Sequence, residues 1–282
     1  MIQVVFLSVI AIAWLAFASI QDLKHREIAN WLNFSLIVFV FGFRFFYSLF
    51  SNSGSFGFFY QGLIGLGIFF VLGNIFYYGK LFAGGDAKLM IALGTVLPFS
   101  KNFFMNTEIF INFILIFLVV GLLYGLIVSI FLSIKYFGKF KREFRKQFRK
   151  HKNISIIVLF LAIAIAIFGF SLENVLLIYF ALLVFALPYF FVYAKAVDES
   201  CMVRKISTKN LTEGDWLYHD MKIGNKKIKA TWHGLRKEEI ILIRKKHKTV
   251  LVRYGIPFSP VFLISFLIFL WIWKNGLTGI LF

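Results

Sequence analysis

The chain is dominated by apolar runs close to the roughly 20 residues that a helix needs to cross a bilayer core. They fall at 2–20, 31–50, 56–78, 109–137, 154–170, 175–193 and 258–273, with a shorter one at 87–97 directly after Gly84-Gly85-Asp86. A water-soluble fold cannot hide this much. Of the 282 residues 60% are hydrophobic, against about 45–50% in a soluble domain, and the surplus would emerge as exposed apolar surface. The expected fold is an all-α polytopic membrane protein of about eight transmembrane helices. A soluble enzyme and a free transcription factor are excluded. No basic segment precedes the first run and no small-x-small site follows it, so it reads as a retained helix rather than a cleaved signal.

The formal charge of +18 is concentrated. Segment 135–152 holds nine basic residues and one acid, and segment 194–256 holds fifteen basic and seven acidic residues. The positive-inside rule makes both cytoplasmic. The gaps after alternate runs carry Lys24 and Arg26, Lys80 and Lys88, and then the two basic segments. The opposite gaps, 51–55, 100–108 and 171–174, carry Lys101 as their only cation. This alternation predicts eight spans, the short one included, with both termini outside. The basic segments read as anchors beside anionic membrane lipids. They lack an aromatic-interleaved nucleic-acid motif, so no nucleic-acid partner is expected.

The expected organisation is a membrane domain over 1–193 with a basic cytoplasmic loop at 135–152, a small basic cytoplasmic insert at 194–256, and a last transmembrane helix with the C-terminus at 257–282. The insert reads as a small α+β unit. It has loose alternation over 215–230 around a Gly224-Asn225 turn, a helix over 236–246 and a strand over 249–253. No internal repeat supports an inverted-repeat transporter.

Five acids lie outside the basic segments: Asp22, Glu27, Asp86, Glu108 and Glu173. An ionisable group at the membrane boundary is a functional candidate by default. Other hydrolytic chemistries fail on composition. None of the five histidines falls within a span, so a serine nucleophile has no base there. No H-E-x-x-H ligand set is present, the single Cys201 excludes a cysteine-rich zinc module, and neither metal nor cofactor is expected. Asp22 and Asp86 remain, on one side of the membrane. Two adjacent carboxylates share a proton, and such a pair activates water and polarises a carbonyl without a cofactor. Each also has a plain reading, Asp22 as an i,i+4 ion pair with Arg26 and Asp86 as a helix cap. Gly84 and Gly85 before Asp86 suggest an unusual backbone or a close approach, or a simple turn. Lys88 would steer substrate or snorkel to the headgroups.

The sequence Ser19-Ile20-Gln21-Asp22-Leu23-Lys24-His25-Arg26-Glu27-Ile28-Ala29-Asn30 resembles the first aspartate motif of the type IV prepilin peptidases, above all their archaeal preflagellin and prepilin branch. Ala83-Gly84-Gly85-Asp86-Ala87-Lys88 resembles the second motif, G-x-G-D-x-K, with alanine in place of the first glycine. Alanine resists positive φ, so a differently set loop is expected there. Gly255-Ile256-Pro257-Phe258-Ser259-Pro260 resembles the same branch more distantly. The resemblance implies an aspartic endopeptidase with Asp22 and Asp86 as the catalytic pair, and Gly84, Gly85, Lys88, Lys24 and Arg26 as motif positions. It also implies partners: pilin-like or archaellin-like precursors that lose a short basic leader at the cytoplasmic face. Two other readings stay open, a presenilin-like peptidase cutting within its substrate's span, and a non-enzymatic transporter or assembly protein.

Overall fold

The structure is a computed structural model that describes residues 2–50, 56–223, 226–231 and 234–276. Its helices are α1 (Ile2–His25), α2 (Asn30–Phe50), α3 (Gly57–Tyr78), α4 (Gly84–Val96), α5 (Phe103–Lys135), α6 (Phe137–Lys150), α7 (Lys152–Ser171), α8 (Val175–Val197), α9 (Lys237–Lys246) and α10 (Ser259–Lys274). Every apolar run is helical. Among the described residues six helices, α1, α2, α3, α5, α7 and α8, are long and apolar enough to cross a membrane. The other two apolar helices, α4 and α10, have 13 and 16 residues. The chain divides into two compact units, Met1–Gly125 with Pro257–Phe282, and Leu126–Ile256.

In the first unit α4 is the innermost helix. Leu89, Met90, Leu93 and Val96 are at most 1% exposed. Glycine permits this burial. A Cβ on Gly65 of α3 would lie 2.1 Å from the Gly94 carbonyl oxygen of α4, and one on Gly94 would lie 2.5 Å from the Gly65 carbonyl oxygen. Small residues let two helix backbones approach this closely. Lower down, a Cβ on Gly73 would come within 3.0 Å of the Ala87 carbonyl oxygen.

A helix that ends inside protein leaves its last carbonyls without partners. Arg44 of α2, wholly buried, supplies them at the end of α4. It donates to the carbonyls of Thr95 (2.9 Å), Val96 (3.2 Å) and Pro98 (2.6 Å), and also to Phe58 (2.8 Å). Its guanidinium lies 4.2 Å from the centre of the Phe58 ring. A cation suits this end of a helix dipole.

In the second unit, the basic segment 135–152, expected as a loop between spans, is helical over most of its length. It forms α6, flanked by Tyr136 and His151. At 100° per residue, Phe137, Phe140, Phe144 and Phe148 share one face, six of the seven Lys and Arg residues fall in the opposite half, and Lys141 borders the aromatic face with its ammonium near the Phe137 ring. The aromatic face packs on α8, with Phe140 against Tyr193 and Phe148 against Tyr189. The break at Tyr136 also ends α5 two residues short of the run read at 109–137.

The insert is α+β, with strands β1 (Val203–Ser207), β2 (Trp216–Leu217), β3 (Met221–Ile223), β4 (Lys226–Ile228) and β5 (Thr249–Arg253). They form an antiparallel sheet in the order β1-β5-β2 and a separate antiparallel β3-β4 pair. The alternating stretch 215–230 therefore serves two sheets, and β1 is an addition to the sequence reading. The Gly224-Asn225 turn lies outside the described residues. Leu211, Ile240, Ile243, Val250 and Val252 form the small core beneath α9. A π-helical turn, Asp198–Met202, continues α8 and is clamped to the sheet. Arg253 pairs with Asp198 (3.4 Å) and Glu199 (3.3 Å), and Glu199 accepts the Tyr218 hydroxyl hydrogen bond. That bond pushes the Tyr218 hydroxyl up to about 12.

Candidate active site

Asp22 lies in the last turn of α1, where its own helix dipole disfavours an anion. Another helix compensates. Ser259 opens α10, and its N–H donates to Asp22 Oδ2 at 3.0 Å. The Ser259 hydroxyl donates to the Ala18 carbonyl of α1 at 3.5 Å. Asp22 is 7% exposed, so a carboxylate that sequence alone could place at a wet helix end is buried. Arg26, the first residue beyond α1, takes a left-handed conformation at φ 57° and turns the chain. Lys24 and Arg26 are both exposed.

Asp86 is the third residue of α4, not its opening residue, and is 8% exposed. Its Oδ2 accepts the Ala83 N–H at 3.2 Å, half of a capping box. The favourable dipole of the α4 N-terminus adds to this. Ala83 has φ −73° and ψ 164°, an extended conformation open to any residue, so alanine costs nothing in place of glycine. Gly84 and Gly85 are helical residues of α4, and neither has a positive φ. The unusual backbone expected of them is absent because they already form the first helical turn. Gly85 has a packing role instead, since a Cβ there would stand 3.3 Å from Ile28 Cβ.

The two aspartate motifs are held together. Ile28 meets Gly85, and Lys88 of α4 donates to Asn30 Oδ1 of α2 at 2.6 Å. Lys88 is thus a tie between helices rather than a freely snorkelling cation. Gln21 accepts the Ala29 N–H at 3.0 Å and shapes the turn between α1 and α2. The two buried carboxylates lie within range of each other's charge, and Tyr124 of α5 lies within range of Asp22.

Sequence reasoning missed Ser259, Tyr124 and Arg44. Arg44 left a signal, as the one cation in the middle of the apolar run 31–50. Ser259 lay in the segment 255–260 singled out by its resemblance but carried no role there, and Tyr124 left no signal, because tyrosine is an ordinary residue at such a place. Among the described residues no cluster of three or more His, Cys, Asp or Glu could hold a metal ion.

The search of curated proteins and the search of solved structures each gave no significant match. Residues 9–132, which hold both aspartates and most of α1 through α5, match the model of the type IV leader peptidase family. With the apolar helices, this match supports a multi-pass membrane protease of the type IV leader peptidase kind, a hydrolase that acts on precursor substrates.

Proposed function

We propose that the chain is a membrane aspartic endopeptidase with Asp22 and Asp86 as its catalytic pair. The observation that carries this reading is the pair of buried carboxylates, within range of each other's charge, inside the segment that matches the family. Two such groups in a dry site hold one proton between them. The ionised carboxylate takes a proton from a water molecule, whose oxygen attacks the scissile carbonyl carbon. The protonated carboxylate hydrogen-bonds the carbonyl oxygen and supplies its proton to the developing oxyanion. The tetrahedral intermediate collapses as the C–N bond breaks and a proton passes to the leaving amine. The N–H groups of Ser259 and Ala83 orient the two carboxylates for this exchange.

The substrate of this reading is a pilin-like or archaellin-like precursor with a short basic leader ahead of an apolar helix. Cleavage takes place at the cytoplasmic face, with α4 and α10 as the two short members of eight spans. The charge alternation along the sequence supports that face. The test is co-expression with a panel of such precursors. Asp22→Asn and Asp86→Asn are each expected to abolish leader removal while the protein still inserts in the membrane. Full processing by both variants would refute the pair.

A further inference from the structure

We propose that Tyr124 is a positioning residue for Asp22, acting through the elbow Pro257-Phe258-Ser259 at the start of α10; this rests on the catalytic pair proposed above. The Asp22 carboxylate depends on one backbone N–H from a residue 237 positions away, and that amide must itself be held. The Ser259 N–H lies in the planar peptide unit that joins Phe258 to Ser259, so its orientation is set by the elbow before it.

Three groups from one face of α5 fix that elbow. The Tyr124 hydroxyl donates to the Pro257 carbonyl at 2.9 Å. A Cβ on Gly121 would sit 3.1 Å from Phe258 Cζ, so glycine there leaves room for the Phe258 ring. Phe117 meets the same ring edge-on at 5.9 Å between centroids. Spacings of three and four residues put these groups on one stripe of the helix.

The elbow also links the two halves of the site. Each carboxylate accepts from the amide of a residue that directly follows a phenylalanine: Ser259 follows Phe258, and Ala83 follows Phe82. The two rings lie 5.8 Å apart and share Phe117 as a wall. This aromatic strut sets the separation of the two donor amides. Tyr124 sets the rotation of one end of the strut. Loss of its hydroxyl frees the Pro257 carbonyl, loosens the Ser259 N–H and lets Asp22 drift, with the substrate contacts untouched.

The experiment compares purified full-length Tyr124→Phe, Gly121→Ala and Gly125→Ala in micelles. The substrate is a synthetic precursor peptide, a short Lys/Arg leader followed by an apolar segment. Turnover is expressed per folded molecule, with Tm measured alongside. Tyr124→Phe is expected to lower kcat about ten-fold with KM unchanged within two-fold, since a misplacement of about 1 Å costs up to about a hundred-fold in rate. Gly121→Ala pushes on Phe258 with the hydroxyl retained and is expected to give the same split. Gly125→Ala, where a Cβ meets nothing within 4 Å, is expected to match the wild type. Asp22→Asn and Asp86→Asn are run in parallel. If both lose turnover while Tyr124→Phe and Gly121→Ala keep kcat within two-fold, the positioning role is overturned and the catalytic pair stands. A drop in Tm or in folded yield with unchanged kcat per folded molecule overturns it too, as a merely structural role. If the aspartate variants retain turnover, the catalytic pair fails, and the positioning role falls with it.

Discussion

Gly65 is the position at which one added methyl group should have the largest effect. Its Cβ would stand 2.1 Å from the Gly94 carbonyl oxygen and 2.7 Å from Pro98 Cγ, whereas ordinary contact begins at 3.4 Å. The obstacle at 2.1 Å is backbone, so no side-chain rotation relieves it, and α3 and α4 must part by about 1 Å. Overpacking typically costs about 1–3 kcal/mol, and a rigid obstacle places this case at about 3 kcal/mol. The same displacement reaches Asp86, two turns before Gly94 on α4. A shift of about 1 Å there corresponds to up to about a hundred-fold loss of rate. The assay pairs SDS titration of the folded protein in mixed micelles with precursor cleavage per folded molecule. The control is Gly67→Ala, on the same helix, where a Cβ meets nothing within 4 Å. That variant should be neutral, or more stable by about 0.5–1 kcal/mol from lost backbone entropy in the unfolded chain. If Gly65→Ala and Gly67→Ala prove indistinguishable in both measurements, the close crossing of α3 and α4 is wrong.

Arg44→Met strips the partners from the carbonyls of Thr95, Val96, Pro98 and Phe58. A buried acceptor left alone costs about 1–3 kcal/mol, and removal of a buried charge offsets part of the sum, so SDS titration should read a loss of about 3 kcal/mol. Arg44→Lys should recover less than half, because an ammonium cannot reach four carbonyls in a planar fork. In the second unit, the Tyr218 hydroxyl is raised from 10 to about 12 by its bond to Glu199. The stability from that bond is therefore complete below pH 10 and is lost as pH rises through about 12. Near-UV circular dichroism across that window should register the loss in the wild type and not in Tyr218→Phe.

The sequence carried the helices well because apolar runs of bilayer length have few other uses. It carried the two aspartates for a related reason: acids are scarce outside the basic segments, so each could be weighed singly. The α6 helix was hidden by its charge, although Phe137, Phe140, Phe144 and Phe148 recur at helical spacing. The β1 strand was hidden because its partner, β5, follows it by more than forty residues and the pairing is not local. The Ser259 amide and the Tyr124 hydroxyl belong to the same class. Their partners are distant in the chain, and a backbone donor leaves no trace in the residue type. Of the uses read for the glycines before Asp86, an unusual backbone is absent, and the close neighbour found at Gly85 is Ile28.

The closure of α4 by Arg44 bears on the lipid environment. A spanning helix responds to a thicker or thinner bilayer by tilting or by deforming the lipid around it. The long helices α1, α2 and α3 are subject to that adjustment. Helix α4 ends inside the protein, its last carbonyls met by a guanidinium, so its length answers to its neighbours rather than directly to the lipid. A change in membrane thickness therefore reaches Asp86 only through the helices packed on α4, above all α3 at the Gly65 and Gly73 contacts.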